Sequence, residues 1–382
     1  MDAPRPTSGH LGTHRRTWTH TVTDRHSLLV VADVPPNLVH VAKRVDARLD
    51  DFLWAERERW AELDPGLIDP IDEVRRLVLA GGKRLRPAFC HWGFVGAGGD
   101  PDDPRVVDAG CAFELMHAFA LFHDDVMDDA ATRRGAPTTH TVHAARHVEA
   151  GWAGEARRYG EGVAILVGDL AFVYADVLLR GAPVEAVAIW DELRIELNIG
   201  QFLDVAGSVQ RVRSVDAADR ICRYKSGKYT IERPLHLGAV MATPERADEL
   251  IDGLSAYGLP LGDAFQMRDD VMGAFGDESV TGKPVGGDLR EGKPTPLLAR
   301  AVAAATPAQR VVLDRVGDPD LADTEVAAIQ QVIVETGALD ALEAHIGALT
   351  TAAIDSLERV DITTEARTEL TALAEYVSWR QT

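Results

Sequence analysis

Two pairs of adjacent aspartates, each inside a long apolar segment, are the residues of this chain best suited to chemistry. Asp124-Asp125 is followed by Asp128, and Asp269-Asp270 lies far along the chain. On an α-helix Asp124 and Asp128 are one turn apart and share a face, so their carboxylates converge. Crowded carboxylates repel unless a cation lies between them, and oxygen-only ligands suit Mg²⁺ together with substrate phosphates and water. The pattern predicts a site in which metal ions hold a diphosphate.

Short cationic clusters could supply the other half of such a site. Lys83, Arg84 and Arg86 fall within four positions at a predicted helix start, where backbone N–H groups and the helix dipole favour an anion. Arg133-Arg134 follows the first aspartates, and arginine makes forked contacts with phosphate oxygens. A solvated charged turn is the ordinary interpretation of so short a cluster. The acidic composition of the whole chain favours an anion-binding role instead.

The elements that carry these side chains are predicted to be helices. From about residue 37 apolar residues recur at helical spacing, as in Val41, Val45 and Leu49, and few segments alternate. An all-α architecture follows, with Gly and Pro clusters between its segments. His117 lies two turns before Asp124, about 10 Å along one helix face, although a single histidine in an apolar helix is most often a core residue. The predicted helices cover about 37–62, 68–80, 85–96, 104–128, 162–180, 184–208, 216–242, 245–273, 295–304, 320–336, 338–358 and 364–379.

Composition narrows the class of protein. The 382 residues are 46% hydrophobic and include 60 acidic and 40 basic side chains, which gives a formal net charge of −20. A chain this acidic is not expected to bind nucleic acid or an anionic membrane as a general partner. No stretch reaches the roughly 18 consecutive apolar residues of a transmembrane helix. Cys90, Cys111 and Cys222 lie at no metal-ligand spacing, so we expect them in the core of a cytoplasmic protein.

The chain is predicted to consist of a short leading segment and one folded domain. Residues 1–36 are rich in Pro, Thr, His and Arg and end at Pro35-Pro36, which predicts a flexible N-terminal extension. Nothing after this point resembles an interdomain linker. We expect residues 37–382 to form a single all-α domain in which the helices that carry the two acidic motifs face each other.

As an ordered series, these motifs resemble those of the trans-isoprenyl diphosphate synthases, the polyprenyl synthetase family of head-to-tail prenyltransferases. The resemblance covers about residues 40–375 and is closest to short-chain geranylgeranyl diphosphate synthases of actinobacterial type. It implies the isoprenoid synthase fold, a bundle of antiparallel helices around a central cavity, and a homodimer. The series comprises Gly-Gly-Lys-Arg-x-Arg-Pro at 81–87, Asp124-Asp125-Val126-Met127-Asp128, Arg133-Arg134-Gly135, Gly168-Asp169, Gly200-Gln201 with Asp204, Lys225-Ser226, Phe265-Gln266 with Asp269-Asp270, Gly282-Lys283-Pro284 and Asp288-Leu289-Arg290-Glu291-Gly292-Lys293.

The resemblance also implies a reaction and a role for each matching residue. The enzyme would condense isopentenyl diphosphate with a dimethylallyl, geranyl or farnesyl diphosphate. Its metal would be Mg²⁺, with three ions bound alongside the substrate, or alternatively Mn²⁺. The implied metal ligands are Asp124, Asp128 and Asp269. The catalytic set adds Arg133, Lys225, Gln266 and Lys283, of which the three cations contact the allylic diphosphate. The implied further substrate contacts are Ser226 and Lys293, with the isopentenyl diphosphate held by Lys83, Arg86, His117 and Arg134.

One position departs from the family pattern. The second acidic motif usually ends in a third Asp four residues after its first, and Gly273 stands there in this chain. The change removes a carboxylate that could contact a metal ion or its water. Asp277 and Asp288 are near enough along the chain to supply a substitute. A glycine at this position also resembles a subgroup of actinobacterial enzymes.

Product length would depend on the floor of an apolar cavity that runs from Asp124 toward the N-terminus of its helix. Phe119 and Ala120 are the first side chains below the motif. A bulky residue followed by a small one resembles the synthases that make C20 products, so geranylgeranyl diphosphate is the expected product. Met116, a turn deeper, is a second candidate for the floor, and ordinary core packing is the alternative for Phe119. Farnesyl or longer products remain the alternative outcome.

Two other functions are the alternatives to a prenyl diphosphate synthase. A class I terpene cyclase shares the fold and metal-triggered ionisation, but its usual Asn-Ser-Glu triad is not found here, and it has no use for Lys83, Arg86 and His117. A silent subunit of a hetero-oligomeric synthase generally lacks the first acidic motif, which this chain retains. Both alternatives are therefore disfavoured.

Overall fold

Long helices with apolar faces make up most of the structure. The computed structural model describes residues 34–276, 286–318 and 320–380. All of these described residues belong to one compact unit. The helices are α1 (Pro36–Ala61), α2 (Asp69–Leu79), α3 (Leu85–Gly96), α4 (Pro104–Met127), α5 (Thr139–Glu149), α6 (Ala156–Leu178), α7 (Val184–Val209), α8 (Val215–Cys222), α9 (Arg233–Ala242), α10 (Ala247–Phe275), α11 (Gly287–Glu291), α12 (Pro296–Ala304), α13 (Pro307–Leu313), α14 (Asp323–Glu335), α15 (Ala338–Ser356) and α16 (Thr364–Trp379).

The all-α architecture predicted from the apolar spacing is confirmed. Among the described residues the β-structure is one antiparallel pair, Thr132–Arg133 with Ala136–Pro137, in the turn after α4. Helix α5 was not predicted, because its inward face consists of histidines rather than apolar residues. His140, His143 and His147 are all buried there. Two short helices, α11 and α13, were also missed.

Helix α4 carries the first acidic motif at its C-terminal end. Asp103 caps its start by accepting a hydrogen bond from the Arg105 N–H at 2.8 Å, and Pro104 occupies the first turn, where its missing N–H is tolerated. By length and composition α4 could cross a membrane, but 61% of its apolar stretch is buried inside the bundle. It packs against α1, α3 and α6. Its apolar composition is therefore that of a central core helix.

The predicted helix 216–242 is interrupted where it passes the site. Helix α8 continues into a π-helical segment, Arg223–Glu232, and then into α9. Such wide turns often occur at functional sites. A Cβ atom at Gly227 would lie 2.9 Å from the Gly262 carbonyl carbon, so only glycines allow the π-helical segment to approach α10 this closely. The segment also carries Lys225, whose Nζ lies 3.6 Å from Asp124 Oδ1 of the first acidic motif.

The three cysteines have the environment that the sequence predicts. Cys90, Cys111 and Cys222 are buried free thiols. Burial raises the pKa of each thiol, so none is a reactive thiolate at neutral pH.

Candidate active site

Both acidic motifs open into one cavity of about 920 Å³. The cavity lies between α4, α7, the π-helical segment and α10. Met116 is fully buried in the core and does not line it, and Lys283 and Asp277 lie outside the described residues. The predicted site residues that do line the cavity are Lys83, Arg86, His117, Phe119, Ala120, Asp124, Asp128, Arg133, Arg134, Lys225, Ser226, Gln266, Asp269 and Lys293.

The first acidic motif is surrounded by cations from other elements. Lys225 Nζ lies 3.6 Å from Asp124 Oδ1, and Lys293 Nζ lies 3.4 Å from Asp128 Oδ2. Arg133 Nε donates to Asp125 Oδ1 at 2.6 Å. These carboxylates extend the negative end of the α4 dipole, so positive charge is required beside them.

The environment of the motif shifts the pKa values of Asp124 and Asp128 in opposite directions. Burial opposes ionisation of Asp124, but Lys225, Lys293 and Arg133 outweigh burial and lower its pKa. Burial dominates at Asp128 and raises its pKa, with the Asp124 charge adding to the shift. A further cation between them would favour ionisation of both.

The second acidic motif lies near the C-terminal end of α10. Asp269 forms an ion pair with Arg380. Gln266 Nε2 donates to Asp270 Oδ1 at 2.9 Å, whereas Asp270 Oδ2 is buried without a hydrogen-bond partner among the described residues. Burial and the nearby Asp288 raise the pKa of Asp270 well above its ordinary value. Acidic side chains are therefore concentrated at this end of the cavity.

The donor set fits a divalent metal ion. Within the described ranges no three metal-ligating side chains are already assembled around one point. Yet the acids on α4 and α10 offer oxygen ligands only, and the unpartnered Asp270 oxygen and the raised pKa of Asp128 both report unmet demand for positive charge. Hard cations of the Mg²⁺ type prefer such oxygen ligands.

Of the three cations at 83–86, Arg84 has a structural role, whereas Lys83 and Arg86 are available to the cavity. The Arg84 backbone is left-handed with φ 51°, and its buried guanidinium binds Glu114 and Asp46. Removing one partner from a buried ion pair costs about 3–5 kcal/mol, so Arg84 is important for the fold. Arg86 lies 4.2 Å from the centre of the Tyr229 ring. Lys83 has no ion-pair partner in the described part of the chain.

Burial and nearby cations also shape the pKa values of the remaining basic groups. Burial, followed by the charge of Arg380, lowers the pKa of Lys83 to about 8. Burial and then Arg86 lower the pKa of His117 well below its usual value, so its imidazole is neutral. Arg134 adopts a left-handed conformation with φ 52° and donates to the Gly81 carbonyl oxygen. These groups face one region of unbalanced positive charge, which suits an anion.

The apolar part of the cavity lies on the N-terminal side of Asp124. The Phe119 ring centre lies 4.8 Å from that of Phe172 on α6 and 4.6 Å from that of His123. Ala120 beside it leaves space in the wall. Arg194 lies 5.2 Å from the Phe172 ring centre and closes this region from behind. Phe119 therefore lines this part of the cavity, and Phe172 packs behind it.

Several cavity residues were not assigned as site residues from the sequence. Gln201 Nε2 donates to Asp124 Oδ1 at 2.8 Å, and Asp204 accepts a hydrogen bond from Lys225. Both residues belong to the motif series that carries the family resemblance, and that was the available signal. For Tyr229 the signal was its position four residues after Lys225. Arg380 had no such signal, because it is separated from Asp269 by 111 residues and reaches it only through tertiary packing.

Comparison with known proteins agrees with this arrangement. Residues 70–335 match the model of the Polyprenyl synthetase family. A geranylfarnesyl diphosphate synthase from Aeropyrum pernix is 33% identical over 313 residues, which is 79% of this chain and 91% of that protein. The crystal structure of a geranylgeranyl pyrophosphate synthase from Corynebacterium glutamicum, complexed with isoprenyl diphosphate and magnesium, superimposes with a TM-score of 0.83 at 39% identity, covering 90% of this chain and 99% of that one. A geranylgeranyl diphosphate synthase from Mycobacterium tuberculosis is 39% identical over 219 residues, 56% of this chain and 57% of that protein.

The all-helical bundle, the paired acidic motifs and the basic pocket define a prenyltransferase that acts on isoprenyl diphosphates. The chain belongs to the polyprenyl synthetase family. The resemblance recognised in its motifs is thus confirmed.

Proposed function

We propose that this protein condenses isopentenyl diphosphate with an allylic diphosphate and that its main product is geranylgeranyl diphosphate. The observation that carries the proposal is the cavity itself. Acids and cations converge at one end, and the Phe119–Phe172 contact closes the apolar end. A charged head group and a growing hydrocarbon tail would fit these two ends.

The allylic diphosphate is assigned to the cations around the first acidic motif. Arg133 and Lys225 lie beside Asp124, and Lys293 lies beside Asp128. In the proposed reaction these side chains stabilise the negative charge that develops as diphosphate leaves the allylic carbon. Lys283, which lies outside the described residues, is proposed to join them. Gln266 is proposed to line the reacting ends and Ser226 to contact substrate.

The isopentenyl diphosphate is assigned to the basic region formed by Lys83, Arg86, His117 and Arg134. Its double bond would attack the allylic cation, and loss of a proton would restore an alkene. The walls of the cavity must exclude water, because water would trap the cation. The released diphosphate is the proposed proton acceptor, since no side-chain base stands out among the described residues that line the cavity.

The metal of the proposed enzyme is Mg²⁺, with three ions alongside the substrate and Mn²⁺ as the alternative. Asp124, Asp128 and Asp269 would hold the metal ions, as oxygen ligands on two facing helices. When bound, the metal would neutralise the diphosphate leaving group and so assist ionisation.

The length of the product is the finer part of the proposal. Phe119 lines the cavity and packs against Phe172, which supports the proposal that it limits the length of the product. The relatives named for geranylgeranyl products support C20. The Aeropyrum pernix relative is named for a C25 product, so a longer chain is the alternative.

A homodimer in the cytoplasm completes the proposal. Large apolar side chains are exposed on the outer faces of two adjacent helices: Leu166 and Val173 of α6, and Ile195, Ile199, Phe202 and Val209 of α7. On α7 they recur at helical spacing, and a contiguous exposed apolar patch marks an interaction surface. A second copy of the chain is the proposed occupant. Phe202→Asp should shift the mass measured by light scattering from dimer to monomer, and an unchanged mass would reject this face.

The experiment that tests the reaction is incubation with isopentenyl diphosphate, Mg²⁺ and each allylic diphosphate in turn. Dephosphorylated products are then separated by chromatography. Geranylgeraniol as the main alcohol would support the whole proposal, whereas farnesol or a longer alcohol would support the chemistry and reject the product length. Hydrocarbon formed from one prenyl diphosphate alone would indicate a cyclase.

A further inference from the structure

Arg86 reaches the cavity without an acid to hold its guanidinium. Its Nη2 atom donates to the Thr230 hydroxyl at 3.0 Å, and its guanidinium lies 4.2 Å from the centre of the Tyr229 ring. Among the described residues no carboxylate forms an ion pair with Arg86, and its Nε atom is buried without a hydrogen-bond partner. Arg84, two residues earlier, binds two acids instead. Arg86 is therefore oriented by a hydroxyl and an aromatic ring.

Thr230 lies behind Arg86 rather than in the cavity. Its surface is 0% exposed, and of the described residues Tyr229 lines the cavity whereas Thr230 does not. The two bonded residues are 144 positions apart in the chain, so tertiary packing brings them together. A hydroxyl in this position can orient the guanidinium without touching a substrate.

The π-helical segment that carries Thr230 is held at both of its ends. A Cβ atom at Gly200 of α7 would lie 2.4 Å from the backbone nitrogen of Lys225, so α7 and the start of the segment are in close contact. Just after the segment, Arg233 Nε lies 2.7 Å from Glu196 Oε2, and Glu196 also belongs to α7. Thr230 lies between these two anchors, so its hydroxyl is an acceptor at a fixed place.

The same segment contributes to both halves of the proposed site. Lys225, near its start, lies 3.6 Å from Asp124, where the allylic diphosphate is proposed to bind. Tyr229 and Thr230, about one turn later, hold Arg86, which is assigned to isopentenyl diphosphate. One element thus determines how far apart the cations of the two substrates lie. The spacing matters, because a displacement of about 1 Å can cost about 10²-fold in rate.

The absence of an acid beside Arg86 in the described part of the chain has a consequence for binding. A carboxylate partner would neutralise the guanidinium, whereas a hydroxyl and the face of an aromatic ring hold it and leave its positive charge available to an anion.

We infer that Thr230 is a positioning residue for the condensation and that its hydroxyl orients Arg86 toward the isopentenyl diphosphate. The inference rests on the proposed function, because it concerns a residue assigned to that substrate.

Steady-state kinetics of the full-length protein with Mg²⁺, isopentenyl diphosphate and farnesyl diphosphate test the inference. Thr230→Val has a similar shape and lacks the acceptor. It should raise KM for isopentenyl diphosphate about tenfold, or about 1.4 kcal/mol, because a hydrogen bond to a charged group is lost. The values of kcat and of KM for farnesyl diphosphate should stay near those of the wild type, since only binding of one substrate is weakened. Thr230→Ser restores the acceptor and should restore KM.

A double-mutant cycle determines whether Thr230 acts through Arg86. In an Arg86→Met background, Thr230→Val should raise KM for isopentenyl diphosphate little further, because the guanidinium that it positions is already absent. Full additivity of the two changes would overturn the inference. A wild-type KM in Thr230→Val would also overturn it, as would an equal rise of KM for both substrates.

Thr243→Val is the matched control. The Thr243 hydroxyl donates to the Ala97 carbonyl oxygen at 2.8 Å, and Thr243 is not among the described residues that line the cavity. The control should leave both KM values unchanged. If Thr230→Val does not fold, Thr230→Ala, which also lacks the acceptor, takes its place in the cycle. A wild-type protein that does not condense the two diphosphates would instead reject the proposed function.

Discussion

The carboxylate of Asp288 occupies the space that a Cβ atom would need at Gly273. Gly273 is the position where the second acidic motif lacks its usual third acid. Burial is the largest cause of the raised pKa of Asp270, and the charge of Asp288 is the second. An acid from α11 therefore lies where the missing side chain would begin, and the glycine leaves room for it.

We expect substitutions at Gly273 to act through Asp288. Gly273→Ala should displace the Asp288 carboxylate but preserve the fold, because the obstructing atoms belong to the end of a side chain. Turnover should fall by roughly 10- to 100-fold, the usual cost of a shift of about 1 Å in an active site. Gly273→Asp should also lower turnover, because two carboxylates would compete for one space beside Asp270. Steady-state kinetics together with thermal unfolding measure both effects.

Gly287→Ala is the matched control for this prediction. A Cβ atom at Gly287 would meet no atom within 4 Å, although the residue adjoins Asp288. Its turnover should equal that of the wild type. A Gly273→Asp variant more active than the wild type would show that the site lacks an acid and that Asp288 does not replace it.

The paired phenylalanines predict a stepwise change of product length. Phe119→Ala should lengthen the main product, because it opens the cavity as far as Phe172. Phe119→Ala combined with Phe172→Ala should lengthen it further. Because Phe119 lines a cavity, its truncation should destabilise the fold by less than the about 3–5 kcal/mol typical of a fully buried phenylalanine. Chromatography of the dephosphorylated alcohols gives the chain lengths.

Met116→Leu serves as the control, because Met116 is buried in the core and does not line the cavity. A volume-conserving exchange of this kind usually costs less than about 1.5 kcal/mol. Its product should match that of the wild type. If Phe119→Ala made the same product as the wild type, Phe119 would not be the floor, and a longer product from Met116→Leu would place the floor deeper.

The apolar spacing and the acidic motifs predicted the architecture and the contents of the cavity, but not how its charges pair. Asp124 and Asp128 were assigned from helical geometry alone, since a one-turn spacing determines a shared face. Among the three cations at 83–86 the resemblance selected Lys83 and Arg86, but the ion pair of Arg84 with Glu114 could not be predicted, because it depends on a left-handed backbone and on a partner 30 residues away. Arg380 was missed because tertiary packing over 111 residues brings it to Asp269. Local patterns thus identify elements, and partners distant in sequence decide the electrostatics.

The low pKa of Lys83 predicts the pH dependence of substrate binding. In the proposed reaction its ammonium form binds the diphosphate, and with a pKa of about 8 that form is lost as pH rises through 8. We therefore expect kcat/KM for isopentenyl diphosphate to fall above pH 8, two units below the region where an ordinary lysine would lose its proton. Calorimetry above pH 8 in buffers of different ionisation enthalpy should show proton uptake on binding.

The Lys83→Arg variant tests whether Lys83, rather than another titrating group, causes the fall of kcat/KM above pH 8. An arginine remains charged throughout the accessible range, so the variant should lose the fall near pH 8 even if its affinity at pH 7 is lower. A variant with the same fall as the wild type would show that another group titrates. Binding without proton uptake in the wild type would likewise contradict the assignment.

Asp124 provides the most direct test of the metal assignment. In Asp124→Asn, Lys225 would keep its bond to Asp204 and Arg133 its bond to Asp125, so neither cation is left unpaired. The fold should therefore survive, with a change in unfolding free energy within about 1–2 kcal/mol. Turnover should fall by about 10³-fold or more, since preorganised charge stabilisation of this kind contributes about 10²–10³ per group and a metal ligand is lost as well.

Two measurements and one control variant make the Asp124→Asn result decisive. Binding of Mn²⁺ should weaken together with turnover, while the thermal unfolding midpoint stays close to that of the wild type. Asp108→Asn lies on the same helix and binds Arg48 at 2.7 Å away from the cavity, so it should affect neither metal binding nor turnover. An Asp124→Asn variant that turns over normally would remove Asp124 from the metal site. Loss of turnover with unchanged Mn²⁺ affinity would instead assign Asp124 to positioning Lys225, because its polar side-chain contacts among the described residues are to that lysine, Arg133 and Gln201.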